Sequence, residues 1–217
     1  MLLRNQRRYD SGSSLRLRRG QGGTFKGLEQ LKPVSYTHLD VYKRQEEDTL
    51  YQAQVNKVDY ILKKLYLKEG MNILDIGCGW GFLLLEAAKK YKVKGLGITL
   101  SKEQHREFEK RIKEEGLEDY LQVELMDYRD LPKSGKSFDR VVSVGMLEHV
   151  GRENYHLFAD CASQVLKDGG LFLLHFISGL KEYSGDPWIK KYIFPGGMIP
   201  VSYTHLLCGA ARILKMQ

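Results

Sequence analysis

A glycine-rich turn directly after a short apolar run constrains this chain more than any other feature. Residues 73–76 are apolar apart from one aspartate, which is typical of a buried parallel strand. Glycines then occupy alternate positions at Gly77, Gly79 and Gly81, and the helix-forming stretch 82–88 follows at once. Strand, turn and helix together predict the first unit of a nucleotide-type α/β domain, because a turn without Cβ atoms lets a ligand reach backbone N–H groups.

The spacing of these glycines indicates which ligand binds. It is G-x-G-x-G rather than the dinucleotide-binding G-x-G-x-x-G, and no G-K-[ST] of a P-loop follows. We therefore predict S-adenosylmethionine (SAM), whose methionine end carries a carboxylate instead of phosphates. The alternative is a tight strand-to-helix turn that binds no ligand.

Strands and helices alternate from residue 48 to residue 176. An amphipathic helix that Gly70 ends precedes the glycine turn, a helix opens at Ser101 with a capping-box pattern, and another spans residues 153–166. Further strands are predicted at residues 93–99, 121–126, 138–144 and 171–176. This rhythm predicts an α/β fold with a doubly wound, mostly parallel sheet, whose ligands bind beyond the carboxyl ends of the strands.

Charge and cysteine content exclude several classes of function. The net charge of +7 comes from residues 1–45, which hold 10 Lys/Arg and 3 Asp/Glu, whereas residues 46–217 hold 24 of each. A nucleic-acid-binding face on the globular part is therefore not expected. The three cysteines lack metal-ligand spacing, so neither a metal site nor a disulfide framework is predicted. The sequence shows no membrane-spanning run and no signal peptide, which favours a cytoplasmic protein.

Both ends of the chain differ from its middle. The peptide P-V-S-Y-T-H-L occurs at residues 33–39 and again at residues 200–206, and nothing around the two copies matches. The longer first copy, residues 34–45, resembles a translated cloning adaptor. We predict that residues 1–45 are disordered and non-native, that residues 46–200 form the natural domain, and that residues 201–217 are a non-native tail.

Polar residues gather at the predicted strand ends. Asp127 could accept a hydrogen bond from an adenine amino group with Tyr128 stacked nearby, or form an ordinary turn. Gln104 is explained by helix capping alone. Glu148 lies where a charge is expected to face a pocket, and His175 taken alone is expected to be a core histidine. The five strand ends together indicate a site more strongly than any one residue does.

At this point the sequence resembles a known family. The segments L-D-I-G-C-G-W-G, T-L-S-x-x-Q, D-Y-R-D-L, S-V-G-M-x-E-H-V-G, L-L-H-x-I and D-P-W-I-x-K-Y-I-F-P-G-G are similar to the cyclopropane-fatty-acyl-phospholipid synthases, which include the mycolic acid cyclopropane synthases. The resemblance covers about residues 46–200. It implies a class I SAM-dependent methyltransferase (Rossmann-like) fold and transfer of a methylene carbon to the cis double bond of a phospholipid acyl chain.

The resemblance also implies the site. A bound bicarbonate would take the proton that leaves on ring closure, held by Glu148, His175 and the Ile177 backbone. The expected SAM contacts are Asp75, Gly77, Gly79, Gly81, Thr99, Leu100, Gln104, Asp127 and Tyr128. Aromatic side chains at Trp188 or Tyr192 could stabilise the cation. The enzyme would act at the inner membrane surface as a peripheral protein.

Departures from the family pattern qualify this expectation. The family has a Tyr-Ser-Cys segment just before residue 46, where this chain has the adaptor-like residues 34–45. The family also has further strands after residue 200, where this chain has the predicted non-native tail 201–217. We therefore expect an open edge on the last strand, poor solubility and an inactive 217-residue chain. The alternatives are a methyltransferase of the same fold acting on an amine or small molecule, and a non-catalytic SAM- or lipid-binding fragment.

Overall fold

The sheet of this protein carries its helices on both faces. A computed structural model describes residues 12–19, 25–26 and 49–177. In chain order its elements are β1 (Gly12–Arg19), β2 (Phe25–Lys26), α1 (Leu50–Leu65), β3 (Asn72–Ile76), α2 (Phe82–Tyr91), β4 (Lys94–Thr99), α3 (Lys102–Glu114), β5 (Leu121–Leu125), β6 (Phe138–Val144), α4 (Tyr155–Gln164) and β7 (Leu166–Ile177). Short 3₁₀ helices cover Tyr128–Ser134, Leu147–His149 and Arg152–Asn154.

The order of the strands confirms the predicted α/β fold. The sheet runs β2-β1-β7-β6-β3-β4-β5, and β7, β6, β3, β4 and β5 are mutually parallel. The chain winds from β3 outward through β4 to β5, then crosses back to β6 on the other side of β3. The carboxyl ends of β3 and β6 therefore form the switch point where a doubly wound sheet binds its ligand.

Two apolar layers bury the sheet. Helices α1, α2 and α3 cover one face around Leu62, Leu84 and Phe108, and α4 covers the other around Phe158. Because successive strand residues point to opposite faces, Leu74 and its neighbours on β3 contribute to both layers. The site is thus built at one edge of a well-packed sheet.

The structure revises two predicted boundaries. Helix α4 begins at Tyr155, after the 3₁₀ turn Arg152–Asn154, rather than at residue 153. Strand β7 begins at Leu166, five residues before the predicted start. Gly169 adopts φ +73° there, and the register against β6 shifts, so an irregular stretch of ladder precedes the predicted strand.

The expected open edge on the last strand is wrong. Strand β1 pairs antiparallel with β7 from Gly12 opposite Ile177 to Arg18 opposite Leu171. Part of the segment 1–45, which we expected to be disordered, is therefore extended, because an unpaired strand edge satisfies its N–H and C=O groups by adding a strand. The argument for poor solubility loses its basis. The adaptor-like residues 34–45, the segment 178–200 with Trp188 and Tyr192, and the tail 201–217 lie outside the described residues.

Candidate active site

The glycine turn connects β3 to α2 through contacts with the neighbouring strand. The backbone N–H groups of Gly77 and Cys78 both donate to the carbonyl oxygen of Ile98 on β4, each at 3.0 Å. Gly81 donates to the carbonyl oxygen of Cys78 and is the N-cap of α2, with no side chain capping the helix. The first N–H groups of α2 therefore have no side-chain acceptor and suit a ligand carboxylate.

The three glycines are required for different reasons. A Cβ atom on Gly81 would lie 2.0 Å from the Phe108 ring, and one on Gly77 would lie 2.9 Å from Met146 Cγ, so these two glycines allow close packing. At Gly79, where φ is +56°, a Cβ atom would meet no described atom within 4 Å. The turn therefore leaves open space at Gly79.

Asp75 is the charged group nearest this turn along the chain. It lies on β3 between Gly97 of β4 and Val142 of β6, and its side chain is 3 % exposed. Within the described part of the chain its Oδ1 atom has no hydrogen-bond partner, and burial raises the pKa of Asp75 to about 7. An orphaned buried oxygen, open space above Gly79 and uncapped N–H groups together fit the methionine end of SAM, which carries both an ammonium and a carboxylate.

The end of β4 confirms part of the capping prediction and corrects the rest. Ser101 Oγ accepts from the Gln104 N–H at 3.2 Å and caps α3 as expected. The Gln104 side chain does not complete the capping box, because its Oε1 accepts from Thr99 Oγ1 at 2.7 Å while Thr99 Oγ1 accepts from the Ser101 N–H. Capping alone therefore does not explain Gln104. Leu100 stands beside this pair with 70 % of its surface exposed.

The end of β5 matches the ordinary-turn interpretation of Asp127. Its carboxylate caps the 3₁₀ helix Tyr128–Ser134, accepting from the Arg129 N–H, and pairs with the Arg129 guanidinium at 2.9 and 2.6 Å. The hydrogen bond from Arg129 holds the pKa of Asp127 below its usual value. Tyr128 packs edge-on against Phe158 at 5.2 Å between ring centroids. An adenine contact by Asp127 stays a prediction.

The carboxyl ends of β6 and β7 bring the predicted catalytic residues to one place. Glu148, in the 3₁₀ helix Leu147–His149, is 1 % exposed, and that helix contacts β7. His175 lies opposite Val144 in the parallel ladder, and its carbonyl oxygen accepts from the Gly145 N–H at 2.9 Å. Ile177 ends β7 two residues later. Their roles as bicarbonate ligands stay predictions.

Sequence reasoning missed Tyr155, at the start of α4. It is buried, its hydroxyl has no hydrogen-bond partner among the described residues, and burial together with the Glu148 charge raises its pKa to about 12. The sequence prediction placed this tyrosine within the helix of residues 153–166 and gave it no role at the site. The sequence offered one signal, a tyrosine seven residues after Glu148, and this spacing did not reveal that the Glu148 charge acts on it.

These observations define a class of protein. A five-stranded parallel core wound about β3, with a glycine turn and Thr99 at adjacent strand ends, is that of a class I SAM-dependent methyltransferase. Within that class, a sequence model of the mycolic acid cyclopropane synthetase family matches residues 32–207. The chain belongs to this family.

Individual relatives agree. The chain is 45 % identical over 166 residues to a probable fatty acid methyltransferase of Pseudomonas putida, covering 73 % of this chain and 42 % of that protein. It is 47 % identical over 156 residues to the cyclopropane-fatty-acyl-phospholipid synthase of Escherichia coli (strain K12), covering 71 % of this chain and 39 % of the synthase. The chain thus spans about two fifths of the length of these relatives.

Solved structures show the same likeness. The cyclopropane synthase MmaA2 from Mycobacterium tuberculosis superposes with a TM-score of 0.71 at 33 % identity, covering 79 % of this chain and 64 % of that one. The mycolic acid cyclopropane synthase CmaA1, solved in complex with SAH and CTAB, gives 0.69 at 34 % identity, covering 78 % and 64 %.

Proposed function

We propose that this chain carries the methyltransferase domain of an enzyme that adds a methylene carbon from SAM to the cis double bond of an unsaturated phospholipid acyl chain. The observation that carries the proposal is Glu148, a carboxyl group buried at the switch point beside β7. Membership of the mycolic acid cyclopropane synthetase family supports the same reaction. Cyclopropane formation requires a base inside an apolar site, because a proton must leave carbon for the ring to close.

The described residues have distinct tasks in this reaction. When bound, SAM supplies an electrophilic methyl group on its sulfonium. The glycine turn and the Thr99–Gln104 pair would hold the cofactor so that its methyl group faces the alkene, a weak nucleophile that reacts only when positioned in line. Glu148, His175 and the Ile177 backbone would hold a bicarbonate ion that accepts the departing proton. The electron pair of the broken C–H bond then forms the carbon–carbon bond that closes the ring.

The surface around the site supports a lipid substrate. Trp80 in the glycine turn, Leu100 after β4 and Leu125 at the end of β5 are 54 %, 70 % and 49 % exposed, and all three lie at the carboxyl edge of the sheet. None of the described helices is long and apolar enough to cross a membrane. An apolar rim at the mouth of the site favours a cytoplasmic enzyme that docks peripherally on the inner membrane surface.

A chimaera tests the proposed reaction. Residues of this chain would replace the matching 156 residues of the Escherichia coli synthase, so that the remainder of a complete enzyme surrounds them. With vesicles of an unsaturated phospholipid, mass spectrometry should show an acyl chain heavier by one CH₂ and lacking its double bond. Glu148→Gln in the chimaera should abolish this product and leave SAM binding intact.

Each alternative has its own outcome in the same experiment. A folded chimaera that binds SAM and leaves the lipid unchanged contradicts cyclopropane formation. If it methylates an added amine instead, the small-molecule methyltransferase is the correct function. If it binds SAM and methylates nothing, this segment is a binding module.

Membrane docking is tested separately with vesicle sedimentation of the 217-residue chain. Trp80→Ser should reduce binding to anionic phospholipid vesicles, because it removes an exposed aromatic from the rim. Tyr66→Ser is the matched control, since Tyr66 is 56 % exposed at the carboxyl end of α1, on the opposite edge of the sheet. Equal losses for the two variants would contradict docking through the rim.

A further inference from the structure

The ring of Phe108 on α3 lies between two glycines, one in the turn after β3 and one on β4. A Cβ atom added to Gly81, the N-cap of α2, would overlap the Phe108 ring, and one added to Gly97 would lie 2.9 Å from Phe108 Cε1. The ring is fully buried. Phe108 therefore occupies the space that the two missing Cβ atoms leave, and one aromatic ring packs against both the glycine turn and the strand beside it.

A polar contact joins the same helix to the same turn. Arg111, one turn after Phe108 on α3, donates from Nη1 to the carbonyl oxygen of Trp80 at 3.3 Å. Arg111 also pairs with Glu115, whose Oε1 lies 3.6 Å from Nη2 of the guanidinium. Trp80 immediately precedes Gly81 in the chain. The turn is therefore attached to α3 twice, by a buried ring against Gly81 and by a charge-assisted hydrogen bond to Trp80.

A third contact from α3 reaches the end of β4. Gln104 Oε1 accepts from Thr99 Oγ1 at 2.7 Å. Gln104, Phe108 and Arg111 are spaced four and three residues apart, so they lie on one face of the helix in successive turns. This face of α3 therefore contacts both parts of the candidate cofactor site, the glycine turn and the end of β4.

We infer that Phe108 and Arg111 are positioning residues for SAM, because they fix the distance between the glycine turn and Gln104. The inference rests on the proposed function, since it assumes that the amino-acid end of SAM lies against the turn while another part of the cofactor lies against the Thr99–Gln104 pair. Both residues act through the turn and do not touch the cofactor. A ligand that bridges two contacts loses affinity when their separation changes, and a displacement of about 1 Å can cost an enzyme about a hundredfold in rate.

Isothermal titration calorimetry of the 217-residue chain with SAM measures the effect of Phe108. Phe108→Ala should raise the dissociation constant at least about tenfold because the turn loses the ring beneath it, and Phe108→Leu should raise it less because a smaller apolar side chain refills part of the space. Ile112→Ala is the matched control: it lies on the same helix, one turn nearer the amino edge of the sheet, and is buried in the same apolar layer. It should lower the melting temperature and leave SAM affinity unchanged.

Arg111→Met tests the polar contact by the same titration. It keeps most of the apolar stem and removes the donor to the Trp80 carbonyl oxygen, so SAM affinity should fall by about three- to tenfold. Arg111→Lys keeps a cationic donor and should restore part of the affinity. Lys113→Met is the matched control, because it removes an exposed cation that pairs with Glu109 on another face of the same helix. This variant should bind SAM as the unmodified chain does.

A comparison of ligands distinguishes positioning from a general loosening of the fold. SAM and S-adenosylhomocysteine both carry the amino-acid end and would span the turn and the Thr99–Gln104 pair, whereas 5′-methylthioadenosine lacks that end. Phe108→Ala and Arg111→Met should therefore weaken the binding of SAM and S-adenosylhomocysteine and leave that of 5′-methylthioadenosine nearly unchanged. A loosened fold would weaken all three ligands alike.

A double-mutant cycle tests the packing that the inference requires. Gly81→Ala in the unmodified chain places a methyl group against the ring of Phe108, and in the Phe108→Ala background it places the group in the space that the ring has left. Gly81→Ala should therefore lower the melting temperature less in the Phe108→Ala background, since the backbone cost at φ +79° is common to both. Equal losses would contradict the contact between the ring and the turn.

The outcomes separate the inference from the proposed function. Unchanged SAM affinity in Phe108→Ala or in Arg111→Met would overturn the inference, as would a loss in Phe108→Ala no greater than in Ile112→Ala, or an equal loss for SAM and 5′-methylthioadenosine. Each of these results leaves the proposed function standing. If Phe108→Ala does not fold, Phe108→Leu and Arg111→Met provide the same comparisons. Absence of SAM binding by the folded, unmodified chain would overturn both the inference and the proposed function.

Discussion

Two alanine substitutions in the glycine turn distinguish a glycine needed for packing, Gly81, from one needed for ligand space, Gly79. Gly81→Ala places a methyl group 2.0 Å from the ring of Phe108, which is fully buried, at a backbone φ of +79°. The left-handed backbone costs about 1–2 kcal/mol for a non-glycine residue. Displacing a buried ring in a packed core costs about 1–3 kcal/mol more. The free energy of unfolding should therefore fall by about 2–5 kcal/mol, a large part of the stability of a domain.

Gly79→Ala tests the ligand space. Its φ of +56° carries the same backbone cost of about 1–2 kcal/mol, and its methyl group meets no described atom. Stability should fall by that amount alone, while SAM affinity should fall at least about tenfold because the methyl group occupies the proposed cofactor space. Gly116→Ala is the matched control: its φ is +63°, its surroundings are equally open, and it follows α3 at the amino edge of the sheet, away from the site.

Urea unfolding and calorimetric SAM titration on the three variants decide the matter. The packing argument is refuted if Gly81→Ala loses no more stability than Gly116→Ala. The ligand argument is refuted if Gly79→Ala binds SAM as tightly as Gly116→Ala does. Both comparisons use the one control, Gly116→Ala, which has the same change in side chain and the same backbone region as the two test variants.

Three further predictions concern Thr99 and Asp127, at the ends of β4 and β5, and Tyr155, at the start of α4. Thr99→Val removes the hydroxyl that donates to Gln104 and accepts from the Ser101 N–H, so the free energy of unfolding in urea should fall by about 1–2 kcal/mol. SAM affinity should fall as well. An unchanged affinity would show that the Thr99–Gln104 pair is not part of the site. Asp127→Asn removes a carboxyl group whose pKa is lowered in the folded chain. The stability that this carboxylate contributes should be present above about pH 4 and lost as pH falls through the lower folded-state pKa. If the melting temperatures of the unmodified chain and the variant still differ by as much at low pH as at neutral pH, the ion pair with Arg129 is contradicted. Tyr155→Phe removes a buried hydroxyl that has no hydrogen-bond partner among the described residues, so the chain should be as stable as before or more so. Because the Glu148 charge acts on this tyrosine, we expect its hydroxyl to help Glu148 hold the bicarbonate, and ring formation by the chimaera should drop in the variant. Full turnover by Tyr155→Phe would contradict that role.

The sequence alone predicted the strand, the turn and the helix that form the core of the site. Strand β3, the turn at Gly77 and helix α2 are consecutive, and their apolar period and glycine spacing depend only on neighbours along the chain. The alternation of strands and helices likewise predicts the parallel sheet, since a βαβ crossover has one favoured hand. That topology already places the ends of β4, β6 and β7 at one edge.

The tertiary structure decided which polar groups meet there. Gln104 turns toward Thr99 instead of its helix cap, Asp127 pairs with Arg129, and Tyr155 comes within the electrostatic reach of Glu148. None of these partners follows from spacing alone, because a side chain can satisfy its hydrogen bonds in several ways and packing selects one.

The two least predictable features are both long-range. Strand β1 covers the edge of β7 from more than 150 residues away in the chain, through backbone hydrogen bonds that leave no pattern in the sequence. The raised pKa of Asp75 results from burial beneath helices α1, α2 and α3, which cover its face of β3. The sequence by itself thus determined the fold, the family and the position of the site. Only the tertiary structure accounts for the raised pKa of Asp75, because desolvation depends on what surrounds a group in space and not on its neighbours in the chain.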